Sequence, residues 1–301
     1  MFKTVISIII PVYRVRKYLE ACLDSLLDQD FLLPYNILLI ESASDDGSKD
    51  ICEDYQRRYH NVYHYHYDKN DGISVGRNLG LLHANGSYVI FMDGDDKVEK
   101  NFLSSLYQEV EKYPDVQLVS AGYSIYDDST DSIIKHVPGV SYHGSGSKAL
   151  EKLYSSKKYN PYCWAKLYKR EFLLLNHLVF DSSMGMLEDL LFLSLVLANA
   201  NEVSFIKKSI YLYRQHQEST VHTCKDWLTP HFKCFRKVKK ELHRYHKDLE
   251  KKIFKKPTRK IYQQIALDCE KSSSHYQKKK VTLYKEAKSK LKEIYQHELS
   301  R

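Results

Sequence analysis

Short apolar runs alternate with amphipathic helical stretches through roughly the first 125 residues, and this rhythm constrains the fold more than any other feature. Residues 5–12 are continuously apolar, as in a strand covered on both faces. Residues 16–28 then place Tyr18, Leu19, Cys22, Leu23, Leu26 and Leu27 on one helical stripe. The pattern repeats with a strand at 36–40, a break at Gly47 and a helix at 51–59. It continues with a strand at 62–67, a helix at 74–84 carrying Gly76 and Gly80, and a strand at 88–92. A helix at 102–113 and an extended run at 116–126 complete it. Such alternation specifies βαβ units and a mostly parallel, doubly wound α/β sheet. Sheets of this kind bind ligands beyond the carboxyl ends of their strands. The polar clusters fall there: Tyr13 after the first strand, Glu41 to Asp46 after the second, and Asp93 to Asp96 after the fourth.

Beyond Asp127 the rhythm is lost. Residues 127–146 read as loops, 147–153 as a helix, and 187–197 as an apolar helix opened by Glu188 and Asp189. From Trp227 onward the chain is Lys-rich and helical, with Phe232, Val238, Leu242 and Tyr245 as a stripe and a break at Pro257. Charge divides the same way. Residues 225–301 hold 23 Lys/Arg against 9 Asp/Glu, a net of +14, whereas residues 1–224 carry a net of −6. A body (1–224) joined to a basic helical add-on (225–301) is expected, and 301 residues suit a large domain plus an appendage. With 43% hydrophobic and 28% charged residues the composition is globular, and only 11 Gly and 7 Pro argue against a turn-rich all-β chain. The run at 5–12 is far shorter than the roughly 20 residues a membrane span needs. It leads into Pro11 and Tyr13 rather than a small-residue cleavage site. The six Cys form no Cys-x-x-Cys pair, and Cys22 and Cys52 read as small core residues, so a reduced, cytoplasmic setting is expected.

Four clusters carry chemistry, each with a plainer reading beside it. Asp93-Gly94-Asp95-Asp96 crowds three carboxylates that repel one another unless a cation sits among them, and oxygen ligands of this kind suit Mg2+ or Mn2+. The plainer reading is a turn whose Asp residues cap a helix. Glu41 to Ser48 is a second acidic, hydroxyl-rich strand-to-helix loop, able to accept from a ribose hydroxyl or a base N–H. Arg77 can clamp a diphosphate, neutralise carboxylates or form a surface salt bridge. Glu188 and Asp189 either pair with a helix N-terminus or, facing a cleft, accept a proton from a substrate hydroxyl. His216 and His222 are lone histidines, candidate metal ligands at most.

In this order the residues resemble glycosyltransferase family 2, over roughly residues 4–223. Ser7-Ile8-Ile9-Ile10-Pro11-Val12-Tyr13 looks like the family's opening, and Tyr18-Leu19 with Cys22 to Leu26 follows as expected. Phe91-Met92-Asp93-Gly94-Asp95-Asp96 resembles its Asp-x-Asp element. Trp164 to Tyr168, Glu188 to Phe192 and Tyr213-Arg214 followed by Ser219-Thr220 resemble the later ones. The resemblance implies a GT-A, Rossmann-like fold and a metal-dependent, inverting transferase that moves a hexose, galactose or glucose favoured, from a UDP-sugar. Pro11 and Tyr13 would line the nucleobase pocket, and Glu41 would stand where the family has an Asp on base or ribose, a register shift moving that role to Asp45. Arg77 would lie near the donor, Asp93 would contact ribose or sugar, and Asp95 with Asp93 would hold Mn2+ or Mg2+. Asp189 would be the general base, with Trp164, Glu188 and Arg214 shaping the sugar and acceptor site. Gly76 departs from the family's Ala.

The implied partners are a UDP-sugar and a glycan acceptor on a lipid carrier or a glycoprotein, such as a serine-rich adhesin. The basic region would be either a solvated helical bundle packed on the catalytic domain or a contact with an anionic acceptor or the inner face of a membrane, where each Lys or Arg near an anionic surface contributes about 1 kcal/mol. No groove-reading motif accompanies its charge, so no nucleic-acid partner is expected. The competing readings are a non-catalytic nucleic-acid or scaffold protein and a same-fold sugar-nucleotide pyrophosphorylase. The latter would carry a Gly-rich nucleotidyl loop that does not follow Pro11-Val12-Tyr13.

Overall fold

A computed structural model describes residues 3–156, 158–215 and 228–255. The chain opens with β1 (Ile6–Val12), α1 (Arg16–Leu27), β2 (Tyr35–Ser42), α2 (Ser48–Arg58), β3 (Val62–Tyr67), α3 (Ile73–His83) and β4 (Tyr88–Phe91). It continues with β5 (Lys97–Val98), α4 (Phe102–Lys112), β6 (Leu118–Asp127), β7 (Ser132–Val137), β8 (Tyr142–Gly144) and α5 (Gly146–Ser155). Then come β9 (Lys166–Lys169), α6 (Arg170–Leu175), α7 (Glu188–Asn199), β10 (Val203–Gln215), α8 (Leu228–Tyr245) and α9 (Lys247–Lys255).

The strands form one sheet in the order β3-β2-β1-β4-β9-β6-β10-β5, with β7 added to β6 and β8 to β10. The β3-β2-β1-β4 half is wholly parallel. In the other half β9 runs antiparallel between β4 and β6, and β10 is parallel to β6. The period of two in the apolar runs explains why both faces are covered. Ile6, Ile8 and Ile10 of β1 enter one core with α1, α2 and α4, while Ile9 enters the opposite core with α3, α5 and α7. β2 repeats this, Ile37 and Leu39 facing one way and Leu38 and Ile40 the other. Cys22 and Cys52 lie in the first core with no exposed surface.

Three strands, β7, β8 and β10, depart from the expectation. Residues 127–146 are not simply loops: β7 and β8 pair antiparallel on β6 and β10. Their alternation is masked because β7 is mostly exposed on an edge, where burial does not select apolar residues. β10, 13 residues long, runs beside β6 and is broken by register shifts near Ser209, which blurs its period of two. The expected boundary at 224/225 lies outside the described residues, as do His216, His222, Cys224, Pro257 and Cys269. Within them, Cys234, Phe235, Val238 and Leu242 of α8 and Leu249, Ile253 and Phe254 of α9 share a core with α5 and α7.

Gly80 marks the closest approach of α3 to the sheet. A Cβ there would lie 2.1 Å from Ile9 Cγ2, which is fully buried. Gly80→Ala is therefore expected to lower stability by about 1–3 kcal/mol through overpacking, read as a lower urea midpoint at unchanged slope. An unchanged midpoint would show that α3 can ride away from β1 freely.

Candidate active site

At the carboxyl ends of the parallel strands, one guanidinium joins three separate elements. Arg77, on α3 and only 1% exposed, donates from Nη1 to Asp189 Oδ1 (2.7 Å) and Glu188 Oε1 (3.1 Å), and from Nη2 to Asp93 Oδ1 (2.8 Å). Asp93 follows β4, and Glu188 and Asp189 open α7. The face of the guanidinium rests on Phe180, 5.1 Å from the ring centre. Asn78 fixes that loop by exchanging two hydrogen bonds with the Phe180 backbone, both 2.8 Å. Burial works against the charge of Arg77, and Asp189, Asp93 and Glu188 outweigh it. Burial and the charges of Asp95 and Asp189 push the Asp93 carboxyl up to about 6 against the pull of Arg77. Glu188 is raised by burial and by Asp189. Asp189 is held on its other oxygen by the Cys163 N–H (3.2 Å).

The acidic turn after β4 is braced from below. Asp96, fully buried, accepts from the Tyr211 hydroxyl (2.5 Å) and the Arg214 N–H (2.8 Å). Arg214 donates from Nε to the Asp95 carbonyl (2.6 Å), pairs with Asp128, and lies over the Tyr18 and Tyr126 rings. The structure thus places Arg214 behind the turn, 4% exposed. Trp164, 2% exposed, is sandwiched between Tyr162 and Tyr211 with ring centres 4.5 Å away on each side. Burial and the Asp95 and Asp93 charges raise the Asp96 carboxyl well above the ordinary range. Three crowded carboxylates with hard oxygens, two of them holding protons more tightly than usual, fit Mg2+ or Mn2+, with Asp95 and Asp93 as the residues that would hold it.

On the nucleotide side, Tyr13 is 40% exposed beyond β1, and Pro11 packs against α3 where a Cβ on Gly76 would come within 3.2 Å of it. The β1–α1 and β2–α2 loops are laced together. Arg14 makes two 2.7 Å bonds to Asp45, Arg16 N–H donates to Asp46 (3.0 Å), and Val15 N–H donates to Ser48 Oγ (3.0 Å). Asp45 is thereby engaged in an exposed ion pair. Glu41, at the end of β2, has no exposed surface; it accepts from the Ser44 N–H (2.6 Å) and faces His66 Nδ1 (2.5 Å). Burial alone would raise its carboxyl, but these partners lower it. Arg14, Ala43, Ala165 and Leu187 all have positive φ, so four of the six such non-glycine residues among the described residues lie at or beside this cleft. Strain concentrated there is held by the bonds just described. The roles of Tyr211, Phe180 and the Cys163 N–H were not legible in the sequence, since each acts through a contact with a distant element.

Arg77→Met leaves three partly buried carboxylates without their cation, with an expected loss of about 3–5 kcal/mol in denaturant unfolding. Carboxylates raised above their unfolded values bind extra protons in the folded state, so the variant should regain stability as pH falls from 8 toward 5. A penalty independent of pH would contradict the electrostatic account.

The family model described as glycosyl transferase family 2 matches residues 7–180. Glycosyltransferase GlyA of Streptococcus pneumoniae is 31% identical over 217 residues, 69% of this chain and 30% of its own length. The uncharacterized glycosyltransferase EpsJ of Bacillus subtilis is 32% identical over 218 residues, 71% of this chain and 62% of its own. The chain thus spans under two thirds of either relative. Residues 1–349 of S. aureus TarS in complex with UDP-GlcNAc superpose with a TM-score of 0.75 at 18% identity, covering 94% of this chain and 79% of that one. Sheet order, helix placement and these likenesses agree on a GT-A fold. The chain belongs to glycosyl transferase family 2.

Proposed function

We propose that this chain is a glycosyltransferase that moves a hexose, galactose or glucose favoured, from a UDP-sugar to a hydroxyl of a glycan acceptor with inversion at the anomeric carbon. The observation that carries the reading is the Arg77 junction, which sets Asp93 of the acidic turn and Asp189 of α7 on one guanidinium. The carboxylates expected for the donor diphosphate and for the acceptor hydroxyl therefore flank one point in space. TarS, captured with UDP-GlcNAc, supports a nucleotide-sugar donor.

In this reading Tyr13 and Pro11 border the base, and Glu41 acts on the donor side by anchoring the loop that ends at Ser48. Asp95 and Asp93 hold Mn2+ or Mg2+, which when bound offsets the negative charge of the diphosphate. Asp189 accepts the acceptor proton while the acceptor oxygen bonds to the anomeric carbon. The bond from that carbon to the diphosphate breaks, and its electron pair leaves with UDP. Arg77 pairs with one oxygen of Asp189 at 2.7 Å, and the carboxylate's remaining lone pairs stay available for the proton. Glu188 shares Arg77 and orients beside the acceptor, while Trp164 and Arg214 act from behind, stiffening the wall and the acidic turn. One displacement on one face converts an α-linked donor into a β-linked product.

Asp189→Asn is expected to lower transfer about 10²- to 10⁴-fold while leaving UDP binding in place. A variant that no longer binds UDP would contradict the base assignment. Release of UDP from a panel of UDP-sugars with Mn2+ tests the donor; no release from any of them would sink the reading.

The basic region at 225–301 is proposed as an accessory part that holds the enzyme at an anionic membrane face, where a lipid-carried acceptor would be presented. No helix among the described residues is long and apolar enough to cross a membrane. Support comes from α8, whose buried stripe of Cys234, Val238 and Leu242 leaves Arg236, Lys239, Lys240 and Arg244 on the exposed side. Reversing Arg236 and Lys240 to Glu should weaken sedimentation with phosphatidylglycerol vesicles and leave UDP-sugar hydrolysis intact. Equal sedimentation would remove membrane contact.

A further inference from the structure

We propose that Glu41, His64 and His66 form a binding site for a borderline divalent cation such as Zn2+, separate from the acidic turn. The three side chains come from adjacent strands. His66 of β3 pairs in register with Glu41 of β2, and His64 lies two residues earlier on the same face of β3. One ligand atom from each lies within 4.8 Å of the others.

Two observations point to a missing cation. The His64 side chain is 6% exposed, and its Nε2 is buried without a hydrogen-bond partner, 3.9 Å from Glu41 Oε2. An imidazole nitrogen buried beside a carboxylate and bonded to nothing is an unmet polar group. The second is His66, whose two ring nitrogens both face carboxylates: Nδ1 meets Glu41 Oε2 at 2.5 Å and Nε2 meets Asp68 Oδ1 at 3.1 Å. A neutral ring carries one N–H, so one carboxylate meets a lone pair unless a cation or a second proton lies between them. With the proton on Nε2, Asp68 is satisfied and Nδ1 is free to bind metal. That is the arrangement in which a carboxylate orients a metal-binding histidine. The Ser44 N–H holds the other oxygen of Glu41 in the same supporting manner.

The geometry needs little change. Tetrahedral zinc with bonds of about 2.0–2.1 Å puts its ligand atoms about 3.3 Å apart. The 2.5 Å and 3.9 Å separations straddle that value, so an ion would spread one pair and draw the other in, each by less than about 1 Å. His66 is 34% exposed, which gives the ion a route in and leaves the fourth position to water. Two imidazoles and one carboxylate favour Zn2+, Co2+ or Ni2+ over Mg2+ and Mn2+, which suit the oxygen ligands of the acidic turn. Glu41 anchors Ser44, and the Ser44–Ser48 segment is bonded to residues 14–16. A bound ion would therefore lock the loop pair at the nucleotide side of the cleft.

Titration of the full-length protein with Co2+ tests this independently of transfer activity. One equivalent should give the intense visible bands of four-coordinate cobalt, displaced by Zn2+, in the wild type and in Asp95→Asn alike. His64→Gln and His66→Gln should each abolish them. Absence of the bands at saturating Co2+, their survival in both His variants, or their loss in Asp95→Asn would overturn the site. A two-bond 1H–15N spectrum of the wild type needs no substitution: Zn2+ should move His64 Nε2 and His66 Nδ1, and unmoved imidazoles would overturn the proposal.

Discussion

A single buried cation holds the cleft together. Arg77 lies 1% exposed beneath three carboxylates, which come from two distant places in the chain, the turn after β4 and the start of α7. Desolvating a guanidinium is costly, and only multiple charged hydrogen bonds offset it. The carboxylates face the same problem, since Asp93, Glu188 and Asp189 would repel one another without it. The strand-end turn and the start of α7 therefore stand or fall together. Phe180 under the guanidinium and the Asn78 clamp on that loop explain why the arginine stays in one pose.

The second half of the sheet supplies the buttress. β10, paired between β6 and β5, places Tyr211 and Arg214 beneath Asp95 and Asp96. Trp164 packs flat on Tyr211, so the aromatic stack and the acidic turn form one rigid block. The positive φ at Ala165 and Leu187 lies at the joints of this block, immediately before β9 and α7. Such strain persists only where surrounding contacts over-determine the backbone. Here that means the Cys163 N–H to Asp189 bond and the three bonds of Arg77.

How much was legible varies by element. The β1-to-α4 alternation reads directly, because strands covered on both faces must be continuously apolar and the helices between them must be striped. The acidic turn, the Glu188-Asp189 pair and Arg77 are visible as charges in apolar surroundings. β7 and β10 are not, the first because an exposed edge selects nothing and the second because its register shifts break the period. Glu41 illustrates the limit at the site. Its position after β2 is plain in the sequence, but its complete burial depends on Ser44 and on a histidine 25 residues away. Likewise the basic stretch from 225 reads as a separate charge block, yet α8 and α9 share a core with α5 and α7.

The sequence by itself determined the doubly wound sheet, the strand ends where chemistry gathers and the ordered motifs of the family. These are local: a period of two or 3.6, and residue types at fixed offsets from a strand end. Only the tertiary structure decided which charges meet. Pairing of Arg77 with Asp189 spans 112 positions and that of Arg214 with Asp128 spans 86. No local pattern encodes such separations. They follow from the crossover of strands in one sheet, which carries remote side chains to a common edge where desolvation obliges them to pair.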